Sequence, residues 1–249
     1  LVPVFLTVPL LLTVAAYFQA PVWAYPVMIL ATLLVFAAPV GLGALLAVPL
    51  LIIIALGLIT WISTHKLDPY RPLDRIDANR PITAEHKVLE VQVVSLDWKW
   101  LFIYPEQGIA TVNELVTPID TPIRFKLTSS TVMNTFYIPT LAGMIYTMPG
   151  METTLNAVLN KTGNYKGLSA HFSGDGFSHM RFAYKGVTAG DFDAWVQKVK
   201  SSGGALSRDE YLALEKPSEK DPVRTYGTVQ PALFNAVVNR CVEIGRASC

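Results

Sequence analysis

The chain has 249 residues, a formal net charge of +1, and no Asp, Glu, Lys or Arg before Lys66. The charge of the remainder is close to balanced, which leaves no basic face for nucleic acid and no strongly acidic face for a basic protein partner. An uncharged apolar stretch of this length exceeds what a soluble core helix needs, because a bilayer span takes about 20 apolar residues. It also exceeds the short apolar region of a cleaved signal peptide, which follows a basic start.

Taken in chain order, Leu1 to Phe18 has the length of one short span. Ala24 to Ile62 has the length of two more, with a break expected at Pro39-Val40-Gly41. Residues 1–65 are therefore expected to form two or three transmembrane helices. The last is the best defined: it runs through Leu50-Leu51-Ile52-Ile53-Ile54 to Trp61, whose amphipathic ring suits the headgroup level. Lys66 and Asp68 then mark water, and 66–85 reads as a linker holding Pro69, Pro72 and Pro81.

From Lys87 the period changes to two. Val88, Glu90, Gln92 and Val94 alternate with Leu89, Val91 and Val93, which predicts a strand. Further strands are expected at Ile123–Leu127, Thr135–Ile138, Thr153–Leu159, Gly167–Phe172 and Met180–Tyr184. Turn signals at Thr117-Pro118, Pro149-Gly150, 161–164 and 173–176 separate them. Short strands at this spacing predict a β-sandwich over 86–188. Helical patterns follow over 189–240. Ala189–Lys200 places Phe192, Trp195, Val196 and Val199 on one face, Ser207–Glu215 opens on a capping-box pattern, and Gln230–Arg240 is a third short candidate. The two cysteines, Cys241 and Cys249, imply neither a disulfide framework nor a Cys-based metal site within the domain.

Three stretches carry a resemblance. One is the run from Ser95 to Asn113, headed by Asp97-Trp98-Lys99-Trp100-Leu101-Phe102-Ile103-Tyr104. The others are Val132–Pro139 and Ser173-Gly174-Asp175-Gly176-Phe177-Ser178-His179-Met180, with the Pro149-Gly150-Met151 turn between them. In these, from about Val48 to about Arg240, the chain closely resembles subunit II of the bacterial cytochrome bo-type ubiquinol oxidases, a branch of the haem–copper oxidase family. The resemblance implies a membrane-anchored α+β chain: transmembrane helices, a cupredoxin-like Greek-key β-sandwich in the periplasm, and a short C-terminal helical, aromatic-rich appendage.

In the related cytochrome c oxidases, this subunit holds a dinuclear copper centre, whose chemistry needs two bridging thiolates with imidazole and thioether ligands. Laid on this chain, the upstream His falls at Asn134, the two Cys at Ser169 and Ser173, the loop His at Phe177 and the Met at Met180. The backbone-carbonyl ligand falls at His171. Only Met180 survives as a ligand side chain. Serine hydroxyls do not ionise at neutral pH and phenylalanine offers no donor, so no metal and no cofactor is expected in this chain. His171, His179 and Met180 make a thin mononuclear copper set, and surface or hydrogen-bonded histidines are the expectation. His65 and His86 read as ordinary linker-side residues.

Without that copper electrons must enter elsewhere, and the resemblance implies that they arrive from a lipid-soluble quinol through subunit I, which is expected to hold the haems and the active-site copper. The implied function is a non-catalytic, assembly-forming subunit of a proton-pumping quinol oxidase that reduces oxygen to water in aerobic respiration. Its implied partners are subunit I, other oxidase subunits and the lipid bilayer, and its implied place is the bacterial inner membrane. The alternatives are a cytochrome c oxidase subunit II with working copper and a membrane-anchored copper-binding protein. The aromatics Trp98, Trp100, Phe102 and Tyr104 are expected to pack, one strand face into the core and the other against subunit I, rather than to pass electrons. Upstream of about Val48 the resemblance fades, and the family's acidic residue at the start of the second helix falls at Leu42. Leu1–Val48 is expected either to lack that feature or to be non-native, and 241–249 reads as a non-native tail.

Overall fold

The structure, a computed structural model, describes residues 25–66, 71–83 and 86–242. It divides into two compact units, Leu1–Leu67 and Asp68–Cys249. The expected first span, Leu1–Phe18, lies outside the described residues.

In the first unit a single helix, α1 (Tyr25–Lys66, 42 residues), occupies the described part. The break expected at Pro39-Val40-Gly41 is absent, and the helix continues through Pro39. A proline removes one backbone hydrogen bond and bends a helix, but an apolar run on both sides can carry the helix past it. Ala47–Lys66 is the one described segment long and apolar enough to cross a membrane. Its 20 residues span about 30 Å at 1.5 Å per residue, the thickness of a bilayer's hydrocarbon core. The Thr60 and Thr64 hydroxyls donate to the Leu56 and Thr60 carbonyls at 2.8 Å, so neither is left unsatisfied along the apolar surface. Trp61 meets His65 edge-to-face, with ring centroids 4.5 Å apart.

In the second unit a short hairpin, β1 (Arg75–Asp77) with β2 (Arg80–Pro81), precedes two sheets. The large sheet is built from β3 (Leu89–Leu96), β4 (Lys99–Tyr104), β5 (Ile109–Val112), β7 (Pro122–Ser129) and β10 (Thr153–Val158). It is completed by β13 (Gly204–Leu206) and β14 (Arg224–Val229), in the order β10-β7-β3-β4-β5-β14-β13. The small sheet takes β6 (Glu114–Pro118), β8 (Asn134–Tyr137), β9 (Ile145–Thr147), β11 (Gly163–Ser169) and β12 (Arg181–Val187), in the order β6-β12-β11-β8-β9. Pairing is antiparallel except for β3 with β7, β6 with β12 and β13 with β14. This is the cupredoxin-like sandwich that the resemblance implied. The strand expected at Gly167–Phe172 begins earlier, because Gly163-Asn164 pair with Gly186-Lys185 and extend the ladder instead of turning.

Strand alternation splits the large sheet's side chains between two cores. Val91, Val93, Trp100, Phe102, Tyr104 and Ile109 point into the space between the sheets, where they meet Phe125, Phe136, Phe182 and Tyr184. Val94, Leu96, Leu101, Ile103, Ala110 and Val112 point to the opposite face, where Leu206, Tyr211, Leu214, Tyr226, Phe234 and Val237 cover them. The expectation that this second face meets subunit I is corrected here: the chain's own C-terminal segment covers it. Double coverage also explains why Lys99–Tyr104 is buried at every position.

The stretch 189–240 is mixed rather than purely helical. It holds α2 (Ala189–Ser202), β13, α3 (Arg208–Glu215), β14 and α4 (Leu233–Val238). Phe192, Val196 and Val199 of α2 belong to the sandwich core, so 188/189 is not a packing boundary. Thr188 caps α2 by accepting from the Asp191 amide at 3.3 Å, and Ser207 caps α3 by accepting from the Glu210 amide at 3.3 Å. Glu210 does not close the capping box, because its carboxylate accepts from the Tyr226 hydroxyl at 3.0 Å. Ser207→Ala is expected to cost about 1 kcal/mol, read as a drop in the urea midpoint at unchanged m. An unchanged midpoint would show the cap to be idle.

Candidate functional site

The positions singled out in sequence meet at one end of the sandwich. Asn134 opens β8, Ser169 closes β11, and Ser173, Phe177 and Met180 follow in the loop that leads through a 3₁₀ turn (Asp175–His179) into β12. Asn134, Ser169 and Met180 are buried, Ser173 and Phe177 half-buried.

The buried polar atoms satisfy one another. The Ser169 hydroxyl donates to Asn134 Oδ1 at 3.1 Å and shares its hydrogen with the His171 carbonyl at 3.2 Å. Asn134 Nδ2 donates weakly to the Ser95 hydroxyl at 3.5 Å and to the Val132 carbonyl at 3.4 Å. Ser95 bonds Thr147 at 3.0 Å, and Thr147 donates to the Asn134 carbonyl at 3.3 Å. Two positions that would carry a bridging thiolate and an imidazole are thus a hydroxyl and an amide bonded to each other. At the second thiolate position the Ser173 hydroxyl donates to the Met180 thioether at 3.9 Å.

Side-chain packing holds the loop. Trp98 sits in the β3–β4 turn at φ 65°, a left-handed conformation that costs a bulky residue free energy. Its indole Nε1 donates to the Ser173 carbonyl at 3.0 Å. Its ring lies against Gly174 and Gly176, so closely that a methyl group on Gly176 would run into the indole. Gly174, at φ 108°, supplies a backbone angle that other residues rarely adopt. Further down, the Ser169 amide bonds the Met180 carbonyl at 3.1 Å and the Met180 amide bonds the Phe177 carbonyl at 3.0 Å.

The other candidates separate. His171 is half-buried and meets Tyr146 edge-to-face at 6.0 Å, whereas His179 is exposed and its neighbour Met180 is sunk in the core. Among the described residues no three His, Cys, Asp or Glu side chains cluster as a metal would require. Tyr104 is structural: its hydroxyl donates to the Val116 carbonyl at 2.9 Å and accepts from the Val116 amide at 3.0 Å. Trp100 lies between Phe136 and Phe182, at centroid distances of 5.5 and 5.7 Å. Sequence reasoning missed Ser95 and Thr147, the hydroxyls that complete the network, and Lys99. A charge inside Trp98-Lys99-Trp100 was the available signal, since a lysine in an aromatic strand must find a buried partner.

The sandwich with this loop and the aromatic C-terminal segment that covers its outer sheet face each match a described family. Residues 105–187 match the family described as cytochrome c oxidase subunit II, periplasmic domain, and residues 200–245 match the COX aromatic rich motif. The chain belongs to the haem–copper oxidase subunit II family.

Within that family it is similar to quinol oxidase subunits. It is 50% identical over 204 residues to cytochrome bo(3) ubiquinol oxidase subunit 2 of Pseudomonas putida, covering 82% of this chain and 62% of that protein. It is 51% identical over 191 residues to ubiquinol oxidase subunit 2 of Acetobacter aceti, covering 77% and 60%. To quinol oxidase subunit 2 of Bacillus anthracis it is 42% identical over 171 residues, covering 68% and 55%. The chain spans about three fifths of the length of the first of these relatives.

Proposed function

We propose that this chain is the non-catalytic subunit II of a proton-pumping quinol oxidase, placed in the bacterial inner membrane with its sandwich in the periplasm. The observation that carries the reading is the Ser169–Asn134 hydrogen bond, made by two side chains that would have to be copper ligands in a cytochrome c oxidase. The donor set does not fit a dinuclear copper centre. Neither serine supplies a thiolate, Phe177 has no lone pair, and the Asn134 amide oxygen is already accepting. Electrons then enter the complex through subunit I, from a quinol in the bilayer, where the haems and copper reside. The role of this chain is to anchor and complete the assembly.

Two further features support that role. Ala47–Lys66 has the length and composition of a membrane span. The strand and loops flanking the emptied loop expose Val132, Met144, Tyr146, Met151 and Phe172, and Phe172 is 72% exposed. Apolar side chains gathered at one end of a domain favour burial against a neighbour, here subunit I.

The test is a tagged full-length chain purified from membranes together with its complex. A haem-bearing subunit is expected to co-purify, the complex is expected to oxidise ubiquinol but not cytochrome c, and the near-infrared band of a dinuclear copper centre is expected to be absent. Stoichiometric dinuclear copper on this chain, or failure to bring down any haem protein, would overturn the reading.

A further inference from the structure

Part of the stretch that reads as a linker is fastened to the sandwich. The turn between β1 and β2 forms on Asp77, whose Oδ1 accepts from the Asn79 and Arg80 amides at 2.8 and 3.1 Å. The Ile82 amide closes the hairpin on the Asp74 carbonyl at 2.9 Å. The sandwich then holds the hairpin from two turns and a strand. The Arg80 guanidinium bridges Asp77 at 2.6 Å and Asp120, between β6 and β7, at 2.8 Å. Asn160, just after β10, donates to the Ile76 carbonyl at 2.9 Å, and Asn156 of β10 donates to the Arg71 carbonyl at 3.1 Å. The Ile76 side chain is 5% exposed.

Each of these contacts is modest. Ile76 is the only buried side chain from Arg71 to Thr83, and the Arg80 ion pairs are open to solvent. Ile76 belongs to neither core cluster, so the hairpin can open while the sandwich stays folded. An isolated two-stranded hairpin is marginal in water, so this one is kept closed by its docking. What docking changes is the reach of the connection to α1. Fully extended, the chain from Lys66 to Arg71 reaches about 18 Å, and the chain from Lys66 to Leu89, where β3 begins, about 80 Å. Effective concentration falls steeply with tether length, roughly as its −3/2 power, so undocking lowers it about tenfold.

We propose that the β1–β2 hairpin is a strap that shortens the tether between the span and the sandwich, and so raises the effective concentration of the sandwich at a partner held in the same membrane. Arg80, Ile76, Asn156 and Asn160 act here as positioning residues for assembly. The strap itself rests on the contacts above. Its role in assembly rests on the reading of this chain as a membrane-anchored oxidase subunit.

The test has two arms. In the first, amide exchange is followed on the full-length chain in lipid nanodiscs. The Ile82 amide is expected to be protected. Ile76→Ser is expected to speed its exchange at least tenfold, the order for losing one buried aliphatic side chain, and Arg80→Gln about threefold. The core amides of β3 and β4 are expected to keep their protection in both variants. An Ile82 amide that exchanges in the wild type as in an open chain overturns the strap. In the second arm, wild type and Ile76→Ser carrying different tags are expressed together with the partner subunits. Their ratio in the purified haem-bearing complex is compared with their ratio in the membrane. Wild type is expected to be enriched about tenfold. A Gly-Ser segment of about 17 residues inserted before Arg71, which lengthens the tether while leaving the strap intact, is expected to cause a similar loss. Equal incorporation of either variant overturns the role in assembly. If wild type and variants alike fail to join a haem-bearing subunit, the oxidase reading falls and the role in assembly with it, and the exchange arm still decides the strap.

Discussion

Phe136→Ala is expected to destabilise the sandwich by about 3–5 kcal/mol, the range for removing a fully buried aromatic ring. Phe136 is 0% exposed. It stacks on Phe182 at 5.4 Å with 7° between the ring planes, and meets Trp100 and Phe125, each at 5.5 Å. With Phe102 at 6.4 Å, four aromatic rings thus lose a common neighbour, and a cage of rigid planar groups collapses poorly into the space left behind. The same strand carries Asn134, so the cavity would open beside the Asn134–Ser169 hydrogen-bond network. Heat unfolding followed by near-ultraviolet dichroism should show a Tm lower by about 10 °C. A loss below about 1 kcal/mol would mean that the core repacks freely, and the account of one rigid aromatic cluster would fail.

Lys99→Ala is expected to cost about 3 kcal/mol, the lower end for breaking a buried ion pair from one side. The Lys99 side chain is 1% exposed, and its ammonium lies 3.3 Å from an Asp221 carboxylate that is itself 10% exposed. It donates to the Lys216 carbonyl at 2.8 Å and to the Ser218 hydroxyl, while Ser218 bonds Asp221. The lower end applies because Asp221 keeps Arg224, 3.1 Å away, after Lys99 is gone. Burial alone would raise the Asp221 pKa, but hydrogen bonds from Ser218 and Lys99 and the charges of Lys99 and Arg224 outweigh it and hold the carboxyl below its ordinary 3.8.

A carboxyl depressed on folding contributes stability that is complete above the unfolded value, and the contribution is lost as pH falls through the folded one. Acid titration of the wild type should therefore show this contribution intact above about pH 4–5 and lost below it, and the loss should be smaller in Lys99→Ala. Lys99→Met combined with Asp221→Leu is expected to recover much of the stability, because a well-packed apolar pair replaces a buried charge pair at little cost. If the double variant were no more stable than Lys99→Ala, the pair would not be the source of the effect.

Much of the sandwich was legible because its strands alternate. Leu89–Leu96, Pro122–Ser129 and Thr153–Val158 each lie within about two residues of their expected bounds. The illegible strands have a physical reason in common. Glu114–Pro118 and Ile109–Val112 are short and buried at every position, so no polar–apolar period marks them. Arg224–Val229 holds Gly227 at a crossing where α2 comes too close for a side chain, and a glycine weakens any strand signal. At the loop, the family resemblance implied that Asn134, Ser169, Ser173, Phe177 and Met180 lie together, but not the direction of their hydrogen bonds. Ser95 and Thr147 are ordinary strand residues until the fold sets them beside an amide.

The C-terminal cover of the large sheet also dictates an order of events. Thr111 of β5 pairs with Thr225 of β14, on the far side of nearly the whole domain in sequence. During synthesis the strands from Leu89 to Val112 emerge early, and one of their faces stays open until the chain from Leu206 to Val237 has been made. Pairing at such separation is slow, and an uncovered apolar sheet adheres to others like it. The domain therefore completes its folding only after translation of its last fifth, and in that interval a newly made chain depends on company to stay soluble.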